Sequence, residues 1–202
     1  MFRGPEGSDP SPGAMPLVWH GGDFVCNFLA PPNHMGATMK HLTIVRHAKS
    51  SWQNPELADR DRPLNKRGRH DAPMMGDRLA ERGYRPDVIL SSPANRALTT
   101  ARVIAEALGF PPDDIEIDER IYGAGVTGLV GLVRETDDSV GRVMLFGHNP
   151  ELTEMVNRLA KVSLDNLPTC GVALLEFAFD TWARLGTELA TRAEIDYPKK
   201  TP

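Results

Sequence analysis

Two adjacent residues, Arg46 and His47, follow a short apolar run, and Arg96 and His148 come after two further runs of the same kind. A guanidinium group presents a planar fork of N–H donors that matches phosphate, and a neutral imidazole is a competent nucleophile toward phosphorus. No carboxylate stands in the same positions directly after these runs. The pattern predicts an anion site in which His47 attacks a phosphoryl group, while Arg46, Arg96 and a protonated His148 hold its oxygens.

The apolar runs that precede these residues are predicted to be buried parallel strands. They cover residues 41–46, 87–91 and 142–146. Helical spacing of apolar residues is found over 65–82, 94–108, 126–135 and 150–162, and two later strands are predicted over 171–178 and 188–195. This alternation favours an α/β fold, a single three-layer α/β/α domain with a mostly parallel central sheet. Ligands of such sheets bind beyond the carboxyl ends of the strands.

Two prolines bear on the helix boundaries. Ser92 is predicted to cap the helix over 94–108, with Pro93 in its first turn, so that backbone amides and a positive dipole end lie near Arg96. Pro73 is expected to bend the helix over 65–82 or to mark a later start.

Composition and charge exclude several classes of protein. The 202 residues are 41% apolar, which suffices for one domain with a real core. A net charge of -4 and a pI near 5.9 provide no basic field for a nucleic acid, and no apolar run is long enough to span a membrane. Cys26 and Cys170 form no metal or disulfide motif, so a cytoplasmic location is expected.

Residues 1–38 differ from the rest of the chain. They are rich in proline and glycine and show no periodicity. Such a stretch buries little apolar surface against the entropy of ordering it. We expect a disordered or non-native N-terminal extension over 1–38 and the functional domain over 39–202.

Four segments in order resemble the histidine phosphatase superfamily, and its small SixA-type phosphohistidine phosphatase branch in particular. They are TIVRHAKSSW (43–52), DRDRPLNKRG (59–68), LSSPANRALTT (90–100) and FGHNPE (146–151). The resemblance implies a phosphoglycerate mutase-like fold, with His47 as phosphate acceptor and Arg46, Arg96 and His148 around the phosphate. Arg62 is implied as an added contact. Much of the superfamily has Arg-His-Gly where this chain has Arg46-His47-Ala48, so the local backbone geometry there needs testing.

The kind of phosphorylated substrate that the site can hydrolyse depends on the leaving group. An alkoxide needs a proton donor, whereas imidazole leaves easily because its conjugate acid has a pKa of about 6.5. The candidate donors are Glu119, Asp59 and Asp61, and Glu119 could equally form an ion pair with Arg120 or a nearby lysine. Only 55 residues separate Ser92 from His148, which leaves little room for a large lid insertion.

The sequence leaves several functions open. The first is removal of phosphate from phosphohistidine proteins, without metal or cofactor and through a phosphorylated His47. The second is hydrolysis of a small phosphate monoester, such as a sugar phosphate or nucleotide, by the same histidine. A phosphate-binding module without turnover and a metal hydrolase are the remaining alternatives. Against a metal hydrolase, the two histidines are not accompanied by the carboxylate or cysteine ligands that metal sites need. The oligomeric state is not predicted.

Overall fold

A seven-stranded mixed sheet with helices on both faces forms the fold in the computed structural model, which describes residues 25–27 and 39–200. The strands are β1 (Val25–Asn27), β2 (Lys40–Arg46), β3 (Val88–Ser91), β4 (Glu116–Ile117), β5 (Arg142–Gly147), β6 (Val172–Phe177) and β7 (Arg192–Asp196). The helices are α1 (Lys66–Glu81), α2 (Asn95–Leu108), α3 (Gly125–Arg134) and α4 (Glu151–Ala160). The predicted three-layer α/β/α fold is confirmed.

The strand order is β1-β7-β6-β2-β5-β3-β4. The neighbours β2–β5, β5–β3 and β3–β4 are parallel, whereas β2–β6, β6–β7 and β7–β1 are antiparallel. The half of the sheet formed by β2, β5, β3 and β4 is therefore parallel, as predicted. In the other half, β6 and β1 run antiparallel to the remaining strands. The last predicted strand begins at Arg192, four residues later than its apolar pattern suggested.

The two faces of the sheet bury separate apolar cores. In β2, Leu42 and Ile44 pack with residues of α3 and α4, whereas Val45 packs with residues of α1 and α2. All three are fully buried. This alternation is the period of two that a pleated strand imposes on its side chains, and it explains why strands buried on both faces are almost continuously apolar.

Helix α1 braces the loop that follows β2. Its N-cap is Asn65, whose side chain accepts a hydrogen bond from the Gly68 amide at 2.9 Å. A β-carbon built on Gly68 would lie 2.3 Å from the Lys49 carbonyl oxygen, so only glycine permits this approach. The helix begins at Lys66 and continues through Pro73, so the later start is wrong.

Helix α2 begins one residue later than predicted and without the predicted cap. Its N-cap is Ala94, which makes no side-chain hydrogen bond, and Pro93 precedes the helix. The Ser92 hydroxyl is instead engaged by His148, at 2.8 Å from the ring Nε2. The capping prediction is therefore wrong: the Ser92 Oγ contacts His148 and accepts from the Ala94 amide at 3.3 Å, which precedes the first helical residue.

Three residues of the expected N-terminal extension form the edge strand β1, which pairs with β7. The remainder of residues 1–38 lies outside the described residues, so the domain boundary stays a prediction. None of the helices in the described ranges is both long and apolar enough to cross a membrane.

Candidate active site

The carboxyl ends of β2, β3 and β5 bring the predicted residues to one rim of the sheet. Arg46 is paired with Gly147 in the parallel register, and Ser91 is paired with Phe146. Two backbone hydrogen bonds extend this register past the strand ends, from the His47 amide to the Gly147 carbonyl at 3.1 Å and from the Ser92 amide to the Phe146 carbonyl at 3.0 Å. The loops that carry His47, Arg96 and His148 thus lie side by side.

His47 is oriented as a nucleophile. Its Nδ1 lies 2.7 Å from the Ala48 carbonyl oxygen, which can only accept, so the proton resides on Nδ1 and the lone pair on Nε2. Arg96 Nε donates a hydrogen bond to this Nε2 at 3.3 Å. Burial, assisted by the charges of Arg96, Arg46 and Arg62, lowers the pKa of His47 to about 4, so the ring is neutral at neutral pH.

The Ala48 departure from the family motif is accommodated without disturbing this geometry. Ala48 is fully buried and its side chain belongs to the core beneath α1 and α2. Its amide donates to Thr100 Oγ1 at 3.0 Å, which fixes the backbone that accepts from His47.

Arg96 is held by a carboxylate. Its Nη1 donates to the Asp59 carbonyl at 2.6 Å and its Nη2 to Asp59 Oδ2 at 2.8 Å, and Tyr122 Oη donates to the same Oδ2 at 2.8 Å. Burial would raise the pKa of Asp59, but the hydrogen bonds from Tyr122, Arg62 and Arg96 outweigh it and lower the pKa to about 2. Asp59 is therefore ionised at neutral pH, and its role as a proton donor stays a prediction.

His148 lies beside the nucleophile. Its ring centroid is 5.1 Å from that of His47, and the Tyr122 ring meets it edge-on at 5.3 Å. Burial, together with the charges of Arg96 and His47, lowers the pKa of His148 to about 3. The ring is therefore neutral at neutral pH, and the protonation of His148 beside a phosphoryl group stays a prediction.

Arg46 turns its guanidinium toward the loop after α4. Its Nη1 donates to the Leu167 carbonyl at 2.7 Å and to Asn166 Oδ1 at 3.1 Å. Asn149 Nδ2 donates to the same two acceptors, at 3.2 Å and 2.9 Å. Sequence reasoning missed both asparagines, although Asn149 stands directly after His148 in the motif that was singled out.

Arg62 is joined to the site through Asp59. It donates from Nε to the Ser51 carbonyl at 3.0 Å, from Nη1 to Asp59 Oδ1 at 2.6 Å and from Nη2 to Ser50 Oγ at 2.7 Å. The Trp52 ring covers its guanidinium, with 3.2 Å between the guanidinium carbon and the ring centroid. These contacts make Arg62 a brace for the loop, and its contact with phosphate stays a prediction.

Glu119 pairs with a residue that the sequence did not suggest. Its Oε1 accepts from Arg60 Nη2 at 2.5 Å, and its side chain is 69% exposed. Arg120, the predicted partner, binds Asp118 and Glu135 instead. The role of Glu119 as a proton donor stays a prediction.

Several buried polar atoms at this rim have no hydrogen-bond partner in the described part of the chain. Within residues 25–27 and 39–200, Arg46 Nε, His148 Nδ1 and Asn149 Oδ1 make no hydrogen bond. Such unpaired buried groups are costly and concentrate where a ligand binds. The same part of the chain contains no cluster of three or more His, Cys, Asp or Glu side chains arranged to hold a metal.

Comparisons with known proteins agree with this geometry. Residues 42–138 match the model of the histidine phosphatase superfamily, branch 1. An uncharacterized chloroplast protein of Arabidopsis thaliana is 31% identical over 166 residues, which cover 78% of this chain and 75% of that protein.

Two solved structures are similar over nearly their whole length. The SixA protein of Agrobacterium tumefaciens is 30% identical with a TM-score of 0.65, and the match covers 81% of this chain and 98% of that one. The SixA protein of Nakamurella multipartitia shares the fold, with 22% identity, a TM-score of 0.68, and coverage of 80% and 98%. The chain therefore belongs to the histidine phosphatase superfamily, and within it to the SixA-like phosphatases.

Proposed function

We propose that the protein removes phosphate from phosphohistidine through a phosphorylated His47. The observation that carries the proposal is the orientation of His47: Nδ1 is bound to the Ala48 carbonyl, and the Nε2 lone pair lies against Arg96. A neutral imidazole fixed in this way attacks phosphorus once Arg96 Nε donates to a phosphoryl oxygen instead of to Nε2.

The reaction has two balanced steps. His47 Nε2 forms a bond to phosphorus while the bond between phosphorus and the substrate nitrogen breaks. The substrate ring carries a proton on its other nitrogen, so it leaves as neutral imidazole. Water then attacks the phosphorus of phospho-His47, which releases inorganic phosphate and restores the neutral ring. Arg96 and Arg46 stabilise the charge that spreads over the phosphoryl oxygens.

The carboxyl groups near the site support a leaving group that needs little acid assistance. Asp59 is held ionised by Tyr122, Arg62 and Arg96, and Glu119 is exposed and paired with Arg60. Neither is poised as a proton donor. Imidazole is a better leaving group than an alkoxide under these conditions, because its conjugate acid has a pKa of about 6.5.

The exposed rim of the site is consistent with a substrate that is carried on another protein. Trp52 and Tyr122 stand at the site with 73% and 38% of their surface exposed. The similar protein from Agrobacterium tumefaciens is also named as a phosphohistidine phosphatase.

The test compares a phosphorylated histidine-relay protein with a panel of sugar phosphates and nucleotides at equal concentration. We expect kcat/KM for the phosphohistidine protein to exceed every ester, and the His47→Ala variant to lose both activities. Rapid ester turnover with inert phosphohistidine would instead establish a small-molecule monoesterase.

A further inference from the structure

The Ser92 hydroxyl is placed to fix the protonation pattern of His148. Ser92 follows β3 and is fully buried. Its Oγ lies 2.8 Å from His148 Nε2 and accepts from the Ala94 amide at 3.3 Å. The other ring nitrogen, Nδ1, is buried and makes no hydrogen bond within the described part of the chain.

Counting protons distinguishes the two neutral forms of His148. If Nε2 carried the proton and donated to Ser92, both the hydroxyl proton and the Nδ1 lone pair would lack a partner among the described residues. If Ser92 donates to Nε2, only the Nδ1–H is left unpaired. Each buried polar group without a partner is unfavourable, so the second arrangement, which leaves one such group and not two, is favoured.

We infer that Ser92 is a positioning residue that holds the His148 proton on Nδ1. The catalytic consequence rests on the proposed function: a neutral His148 then offers an N–H donor to a phosphoryl oxygen beside His47. The ring spacing of 5.1 Å between the two histidines is compatible with both contacting one phosphoryl group. His148 can thus contribute to the phosphate pocket without being protonated first.

Nitrogen NMR of ¹⁵N-histidine-labelled full-length protein tests the assignment without relying on activity. The His148 signals are identified by their loss in His148→Gln. In the wild type we expect a pyrrole-type signal at Nδ1 and a pyridine-type signal at Nε2, and in Ser92→Ala a shift toward protonated Nε2. The matched control is Ser91→Ala, since Ser91 is equally buried but donates to the Ser92 carbonyl at 3.0 Å and does not touch His148.

Two results would overturn the inference: a wild-type His148 with its proton on Nε2, or an Ser92→Ala spectrum like that of the wild type. If Ser92→Ala does not fold, the wild-type spectrum alone decides.

Kinetics with a phosphohistidine peptide then separate this inference from the proposed function. We expect Ser92→Ala to lower kcat about tenfold with little change in KM, since a transition-state donor is weakened, and Ser91→Ala to stay near wild type. A wild type with the expected spectrum but no turnover would refute the function and leave the assignment intact. Unchanged kcat in an Ser92→Ala protein whose tautomer has shifted would refute the catalytic consequence.

Discussion

Replacing Arg96 by lysine tests whether the planar guanidinium, and not its charge alone, is required. The side chain is 8% exposed and donates from three nitrogens at once, to His47 Nε2 and to two oxygens of Asp59. A single ammonium group cannot reproduce this fork. Loss of one donor to a transition-state oxyanion costs about 10²–10³ in kcat. Because lysine keeps the charge, we expect the lower end, a loss of about 100-fold, or about 2.7 kcal/mol.

The assay is steady-state turnover of a phosphohistidine peptide, with kcat and KM determined separately. Arg102→Lys is the matched control, because Arg102 lies on the same helix α2 and is exposed. We expect a large loss in kcat for Arg96→Lys and wild-type kinetics for Arg102→Lys. An Arg96→Lys enzyme that is folded and within twofold of wild type would refute the role given to the fork.

Three further predictions concern pH and packing. Because the pKa of His47 is lowered from 6.5 to about 4, the acid limb of kcat/KM should lie near pH 4. An acid limb centred near 6.5 would contradict the burial of this ring. The same shift should reduce the free energy of unfolding by up to about 3 kcal/mol as pH falls from 6.5 to 4, because the unfolded chain protonates His47 at a higher pH than the folded protein does. Urea titrations of the wild type and of His47→Asn measure this change, and the variant should lose less stability over the same pH range. Gly68→Ala should destabilise by about 1–3 kcal/mol in thermal unfolding because its β-carbon meets the Lys49 carbonyl, whereas Gly131→Ala in α3, where a β-carbon meets nothing within 4 Å, should not.

The parts of the site that follow from local pattern were predictable. Apolar runs located the ends of β2, β3 and β5, and parallel pairing then brought the residues after them to one rim. His47 and His148 directly follow β2 and β5, and Arg96 lies in the first turn of the helix after β3.

The contacts that tune the site could not be predicted. Asp59 binds Arg96 across 37 residues and Tyr122 across 63, and no periodicity links positions so far apart. The neutral state of His148 depends on burial and neighbouring charge, which only the packed structure sets. Ser92 looked like a helix cap because its local sequence fits that role, and a partner 56 residues away took its hydroxyl instead.

The most direct test of the account is to trap the covalent intermediate. The full-length protein is mixed with a ³²P-labelled phosphohistidine protein, quenched in alkali within the first turnover, digested and mapped by mass spectrometry, with His47→Ala as the control. We expect one labelled site, at His47, which is absent from the control and loses its label at the rate of phosphate release. Labelling of a different residue, or steady turnover without any protein-bound phosphate in the first turnover, would contradict it.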